Sequence, residues 1–152
     1  MRAPPVRPSN PASWRADISE RQNNGIGVER TDFVGVPVRD IERAVQFYGE
    51  TLGIERNPRA HQNWPEFETG NVTLGIMVPE AIGREFAPNP WPIALRVPDV
   101  VKAREQLEAA GVEFHGETLD TGVCHMAFFS DPDGNALMLH RRYAPYGDGS
   151  QP

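Results

Sequence analysis

The sequence predicts an α+β fold of paired βαβββ modules whose sheets curve around a cavity. An internal repeat is the first reason. Val38-Arg39-Asp40 opens a segment that closes on Leu52-Gly53-Ile54-Glu55, and Val97-Pro98-Asp99, 59 residues further on, opens one that closes on Ala110-Gly111-Val112-Glu113. The second reason is periodicity: in both copies a strand pattern of period two runs into an Asp, then a helical pattern, then a Gly, then strands. The third is a matter of faces. Each helix can cover only one side of its sheet, so the two modules must share the other side.

In the first module Val34, Val36 and Val38 alternate with Phe33, Gly35 and Pro37, which makes a strand with one strongly apolar face. Asp40 is a good N-cap and Glu42 suits the first turn. Ile41, Ala44, Val45, Tyr48 and Leu52 then recur at helical spacing, and Gly53 supplies the left-handed stop. Residues 54–56 return to an extended path. Residues 64–69 and 72–78 are predicted to form a hairpin around Gly70-Asn71. A connector with Pro79, Gly83, Pro88 and Pro90 follows. In the second module Ile93, Leu95 and Val97 alternate with Pro92, Ala94 and Arg96. Asp99 caps a helix striped by Val100, Ala103, Leu107 and Ala110, and Gly111 ends it. Residues 112–116 are extended, and 123–129 pair with 136–142 across Asp131-Pro132-Asp133-Gly134-Asn135. That pentapeptide is a turn and not a calcium loop, because the sixth and twelfth positions counted from Asp131 are Ala136 and Arg142. The expected organisation is a flexible, proline-rich extension over 1–29, in which Trp14 and Ile18 are candidates for docking. A single domain over 30–145 follows, with modules 30–78 and 91–143 and linker 79–90, and then a tail over 146–152.

The formal charge of −6, with Lys102 the only lysine, argues against a nucleic-acid partner. The single cysteine, Cys124, excludes an intramolecular disulfide and a cysteine-based zinc site, and it reads as a small buried hydrophobe. No apolar run approaches ~20 residues and no signal-peptide core is visible, so a cytoplasmic protein without membrane contact is expected.

The run from Asp32 to Tyr48 with Leu52-Gly53, and the closing run Phe128-Phe129-Ser130-Asp131-Pro132-Asp133-Gly134-Asn135-Ala136-Leu137-Met138-Leu139, resemble the two hallmarks of the vicinal oxygen chelate superfamily. That group includes glyoxalase I, extradiol dioxygenases, and fosfomycin- and bleomycin-resistance proteins. The resemblance spans residues 32 to 143 and implies the fold above, a homodimer, and in the enzymes a divalent metal held by His, Gln or Glu side chains. Carried over position by position, the ligand sites fall on Phe33, on Leu74 or Gly75, on Pro92 and on Met138. None offers a nitrogen or oxygen side-chain donor, whereas a catalytic ion needs about three fixed protein ligands. A one-residue slip that turned Asp32 inward would turn the valines away from the helix.

With the valines against the helix, Phe33, Gly35 and Pro37 line the cavity, joined by Pro92, Ala94 and Arg96, by Met77, and by Met138 and His140. Arg96 reads either as an anchor for an anionic or carbonyl-bearing ligand or, the more common case, as the partner of Glu66, Glu68 or another internal carboxylate. His140 reads either as an acid–base group or, preferred, as an exposed residue at a strand end. The facing of His125 depends on the hairpin register. Trp64 and Trp91 each precede a proline and read as aromatic walls or, more often, as packing. The leading expectation is a metal-free, cofactor-free binder of a largely apolar or aromatic small molecule in the inter-module cavity. The alternatives are a lyase, isomerase or dioxygenase, using an off-pattern metal on His125, His140 or Glu68, or acid–base chemistry on His140 and Arg96, and a protein whose cavity Phe33, Met77 and Met138 have filled.

Overall fold

The computed structural model describes residues 25–152, so the expected extension over 1–29, with Trp14 and Ile18, lies outside the described residues up to position 24. Residues Thr31–Arg142 form one compact unit. The described residues on either side of it belong to a separate unit, in which the Tyr146 N–H donates to Ser150 O at 2.9 Å to close a turn.

The first module runs β1 (Phe33–Pro37), α1 (Ile41–Val45), β2 (Glu55–Arg56), β3 (Glu66–Glu68) and β4 (Thr73–Met77). The second runs β5 (Ile93–Arg96), α2 (Val100–Ala109), β6 (Phe114–Asp120), β7 (Cys124–Ser130) and β8 (Ala136–Arg142). The modules make two separate four-stranded sheets, in the equivalent orders β1-β4-β3-β2 and β5-β8-β7-β6. In each, the first and last strands are parallel and the rest antiparallel. The repeat is therefore an architectural one.

Both predicted caps form. Asp40 Oδ1 accepts from the Arg43 N–H at 3.0 Å, and Asp99 Oδ1 accepts from the Lys102 N–H at 3.1 Å. The first helix differs from the expectation after one turn: residues Gln46–Thr51 widen into a π-helical turn, with the Leu52 N–H donating to Phe47 O at 2.9 Å. Adjacent Phe47 and Tyr48 are both buried there, their rings 5.3 Å apart and edge to face. Strand β6 runs past the predicted end at 116. Gly116 takes φ +74° beside a register shift between His115 and Leu119, so a bulge carries the strand on to Asp120.

The helix-covered sides of both sheets meet in one core. Val36, Val38, Tyr48, Phe67, Leu74 and Ile76 from the first module join Val100, Leu107, Phe129, Leu137 and Leu139 from the second. Burial of each such side chain contributes about 2 kcal/mol. The modules are latched by the 131–135 turn, which is a buried polar network and more than a turn. Asp131 is 5% exposed and Asn135 is 1% exposed. Asp131 Oδ1 accepts from the Asp133 and Asn135 N–H groups, both at 2.9 Å. Its Oδ2 accepts from Tyr48 Oη at 2.8 Å and Asn135 Nδ2 at 2.7 Å. Asn135 Nδ2 also donates to Pro37 O at 2.7 Å, and its Oδ1 accepts from the Asn89 N–H at 2.8 Å.

A candidate small-molecule site on the open sheet faces

Because the helix-bearing sides are turned to a common core, the other side of each sheet looks out of the chain. Within one chain the open faces of the two modules therefore do not turn toward each other. What lies between them is core, with an apolar recess of about 280 Å³ at its margin, lined by Leu52, Ile54, Leu95, Val97, Leu107 and Leu139, with Arg96 at its edge.

Register decides who stands together on the open faces. On the second sheet Ala94 pairs with Met138 and Arg96 with His140, while Met126 pairs with His140 and Phe128 with Met138. Arg96, His140, Met138, Met126 and Phe128 therefore form one patch: an apolar, half-buried floor with two adjacent basic side chains. Sequence reading found Arg96, Met138 and His140 but missed Met126 and Phe128. The signal was present, because counting outward from the 131–135 turn sets Phe128 opposite Met138.

Several preferred readings are corrected, those of Arg96, His140, Cys124 and the two tryptophans. Arg96 does not pair with Glu66 or Glu68, which belong to the other sheet; it is exposed and makes no ion pair or side-chain hydrogen bond with the described residues. His140 is not at an exposed strand end but half-buried within β8, between Arg96 and Met126. Cys124 is half-buried, its Sγ 3.2 Å from Thr121 Oγ1.

On the first sheet Phe33, Gly35 and Pro37 share the open face with Thr73, Gly75 and Met77, and the next strand adds Glu66 opposite Gly75 and Glu68 opposite Thr73. Leu74 is fully buried on the helix side, so the open-face position is Gly75. Trp91 is 83% exposed and Trp64 is 41% exposed, so neither is core packing.

These residues do not fit the divalent ion that the frame would otherwise hold. Phe33, Gly75 and Met138 stand on the open faces without a nitrogen or oxygen side-chain donor, and Pro92 precedes β5. The off-pattern set is not assembled either. His125 pairs with Arg141 and so faces the opposite side of the sheet from His140, and Glu68 lies on the other sheet. Among the described residues no three His, Cys, Asp or Glu side chains are gathered. Nor is any helix among them long and apolar enough to cross a membrane.

Paired βαβββ modules with a helix on one side of each sheet and an uncovered face on the other define a two-module α+β scaffold. The chain belongs to the Glyoxalase/Bleomycin resistance protein/Dioxygenase superfamily, whose family profile matches residues 30–139. It is similar to a crystal structure of TnmS3, an antibiotic binding protein from Streptomyces sp. CB03234. The two are 27% identical over 78% of this chain and 99% of that one, with a TM-score of 0.64. A glyoxalase family protein from Bacillus anthracis is 25% identical over 76% of this chain and 96% of its own, also with a TM-score of 0.64. Lactoylglutathione lyase from Agrobacterium tumefaciens shares the fold at 17% identity, covering 74% of this chain and 93% of its own, with a TM-score of 0.63.

Proposed function

We propose that this protein binds a largely apolar or aromatic small molecule without a metal or other cofactor, in a cavity that two copies complete between them. One observation carries the reading: an intact superfamily frame has lost side-chain donors at Phe33, Gly75, Pro92 and Met138 together. Likeness to an antibiotic binding protein supports it. The open faces supply the rest. Each is apolar at its centre, and they differ in sign at the edge, glutamates on the first sheet against Arg96 and His140 on the second. A two-fold dimer that sets one protomer's first sheet against its partner's second sheet would cover both faces and form two equal cavities. Arg96 then anchors an oxygen-bearing group of the ligand, with Phe33, Gly35, Met77, Met138, Trp64 and Trp91 as apolar lining. The single cysteine and the absence of disulfides fit a cytoplasmic setting.

Sedimentation and thermal shift test this together. The native protein is expected to sediment as a dimer, and a ligand at a hundred times its dissociation constant stabilises it by about 2.7 kcal/mol. Arg96→Ala and Phe33→Asp are expected to weaken every hit; unchanged affinities would overturn the site. Stoichiometric metal in protein purified without chelator would overturn the metal-free reading. The adjacency of Arg96 and His140 favours a second reading, an isomerase or lyase working by acid–base catalysis. Its pH–rate profile would lose one limb in His140→Ala.

A further inference from the structure

The recess between the modules has walls of one kind. Leu52 and Ile54 face it from the first module, and Leu95, Val97 and Leu107 face it from the second. Its lining holds no aromatic ring and no carboxylate. Leu52, Ile54, Leu95, Val97 and Ala103 pack against the core yet stay half-buried, so no side chain of the described residues closes the apolar interior at this margin. Water gains little from such walls: an aliphatic cavity of about 150 Å³ stays dry and takes up benzene. The recess of about 280 Å³ therefore suits a molecule of about ten non-hydrogen atoms.

Backbone bonds hold these walls in place. The π-helical turn ends with the Leu52 N–H donating to Phe47 O at 2.9 Å, and the Ile54 N–H then donates to Tyr48 O at 3.0 Å, so that Leu52 and Ile54 both reach the recess. Turns of this kind recur at functional sites. Opposite them, the Val97 N–H donates to His140 O at 3.1 Å and the Ala103 N–H to Asp99 O at 3.0 Å, which fixes β5 and the start of α2. The recess is complete within one chain. It lies on the helix-covered side of β5, where Leu95 and Val97 point, whereas Arg96 between them stands with His140 on the open face. A dimer that covers the open faces would leave it free.

Two neutral polar side chains stand at the rim, Thr51 and Gln106. Neither has a side-chain hydrogen-bond partner among the described residues. Aliphatic walls with one polar margin recognise an aliphatic chain that ends in a neutral polar group. Burial of the chain supplies the affinity, and the hydrogen bond at the rim fixes its direction.

We infer that the recess is a small-molecule site separate from the open faces, for a medium-length aliphatic molecule whose neutral hydroxyl, carbonyl or amide end is directed to Gln106 and Thr51.

Methyl-resolved NMR titration of the native protein with 1-octanol and with 2-naphthol tests it. Octanol is expected to shift the methyl groups of Leu52, Leu95 and Leu107 saturably, and 2-naphthol to leave them in place. Ala103→Phe, which fills the recess from α2, is expected to weaken octanol at least about tenfold. Ala103→Leu, a smaller filling, is expected to fall between the parent and Ala103→Phe, and it keeps the test readable if the phenylalanine disrupts folding. Gln106→Ala is expected to weaken octanol about fivefold, through the loss of one hydrogen bond. Phe33→Ala is expected to leave it unchanged, because Phe33 stands on the open face. Shifts that never saturate, or binding lost in Phe33→Ala and retained in both Ala103 variants, would overturn the site. Equal shifts from 2-naphthol would overturn the aliphatic class, and full affinity in Gln106→Ala would overturn the neutral end group. Each of these failures leaves the open-face reading standing, since that reading is tested through Phe33 and Arg96.

Discussion

Asp131→Ala is expected to destabilise the protein by about 4 kcal/mol, lowering its melting temperature by about 15 °C in a thermal scan. The carboxylate is 5% exposed and accepts four hydrogen bonds, from the Asp133 and Asn135 backbone, the Asn135 amide and the Tyr48 hydroxyl. Truncation leaves the Tyr48 hydroxyl and the Asn135 backbone N–H buried without an acceptor, which costs more than the bonds themselves contributed. The loss falls at the junction of the modules, because Tyr48 belongs to α1's π-helical extension and Asn135 bonds Pro37 at the end of β1. Asp131→Asn keeps the volume and one carbonyl oxygen and should recover part of the loss. An Asp131→Ala protein within 1 kcal/mol of the parent would show that the turn does not latch the modules.

Alkaline pH is expected to unfold the protein through Tyr48. Burial, then the neighbouring Asp131 charge and the hydrogen bond to it, raise the Tyr48 hydroxyl far above its ordinary value of 10.0. A raised folded-state pKa contributes stability that is complete below the unfolded value and lost as pH climbs beyond it. The unfolded chain alone releases this proton above about pH 10, and each further pH unit shifts the folded-to-unfolded ratio about tenfold toward unfolding. Urea titrations between pH 8 and pH 12 should show that slope, and Tyr48→Phe should flatten it while costing about 1–2 kcal/mol at neutral pH. A parent and variant with parallel alkaline profiles would remove Tyr48 from this role.

Much of the fold was legible because it rests on local rules: alternating valines, two Asp caps, and glycines at the helix ends. The π-helical turn at Gln46–Thr51 was not, since its residues read as ordinary helix and nothing local marks the wider winding in which adjacent Phe47 and Tyr48 are both buried. The bulge in β6 was hidden by the polar run Gly116-Glu117-Thr118, which has no strand signature. At the site, pairing decided more than composition did. Residues 126 and 128 become neighbours of 140 and 138 only once the hairpin is closed, and Asp131 reads as a turn former until Tyr48 arrives from a residue 83 positions away. Glu66 and Glu68 read from the sequence as partners for Arg96, but the topology puts them on a different sheet.

Strand β1 is an edge strand, and unpaired edges recruit strands from other molecules. The backbone groups of Gly35 and Pro37 point to that open side, since the Val38 N–H is spent on Met77. Pro37 has no N–H to offer, its carbonyl is held by the Asn135 amide, and the Gly35 carbonyl accepts from Asn89 Nδ2 at 3.2 Å. The asparagines that fasten one module to the other thereby also insulate the margin of the first sheet, so that an approaching chain finds a proline and two occupied carbonyls where a template for fibrous assembly would begin.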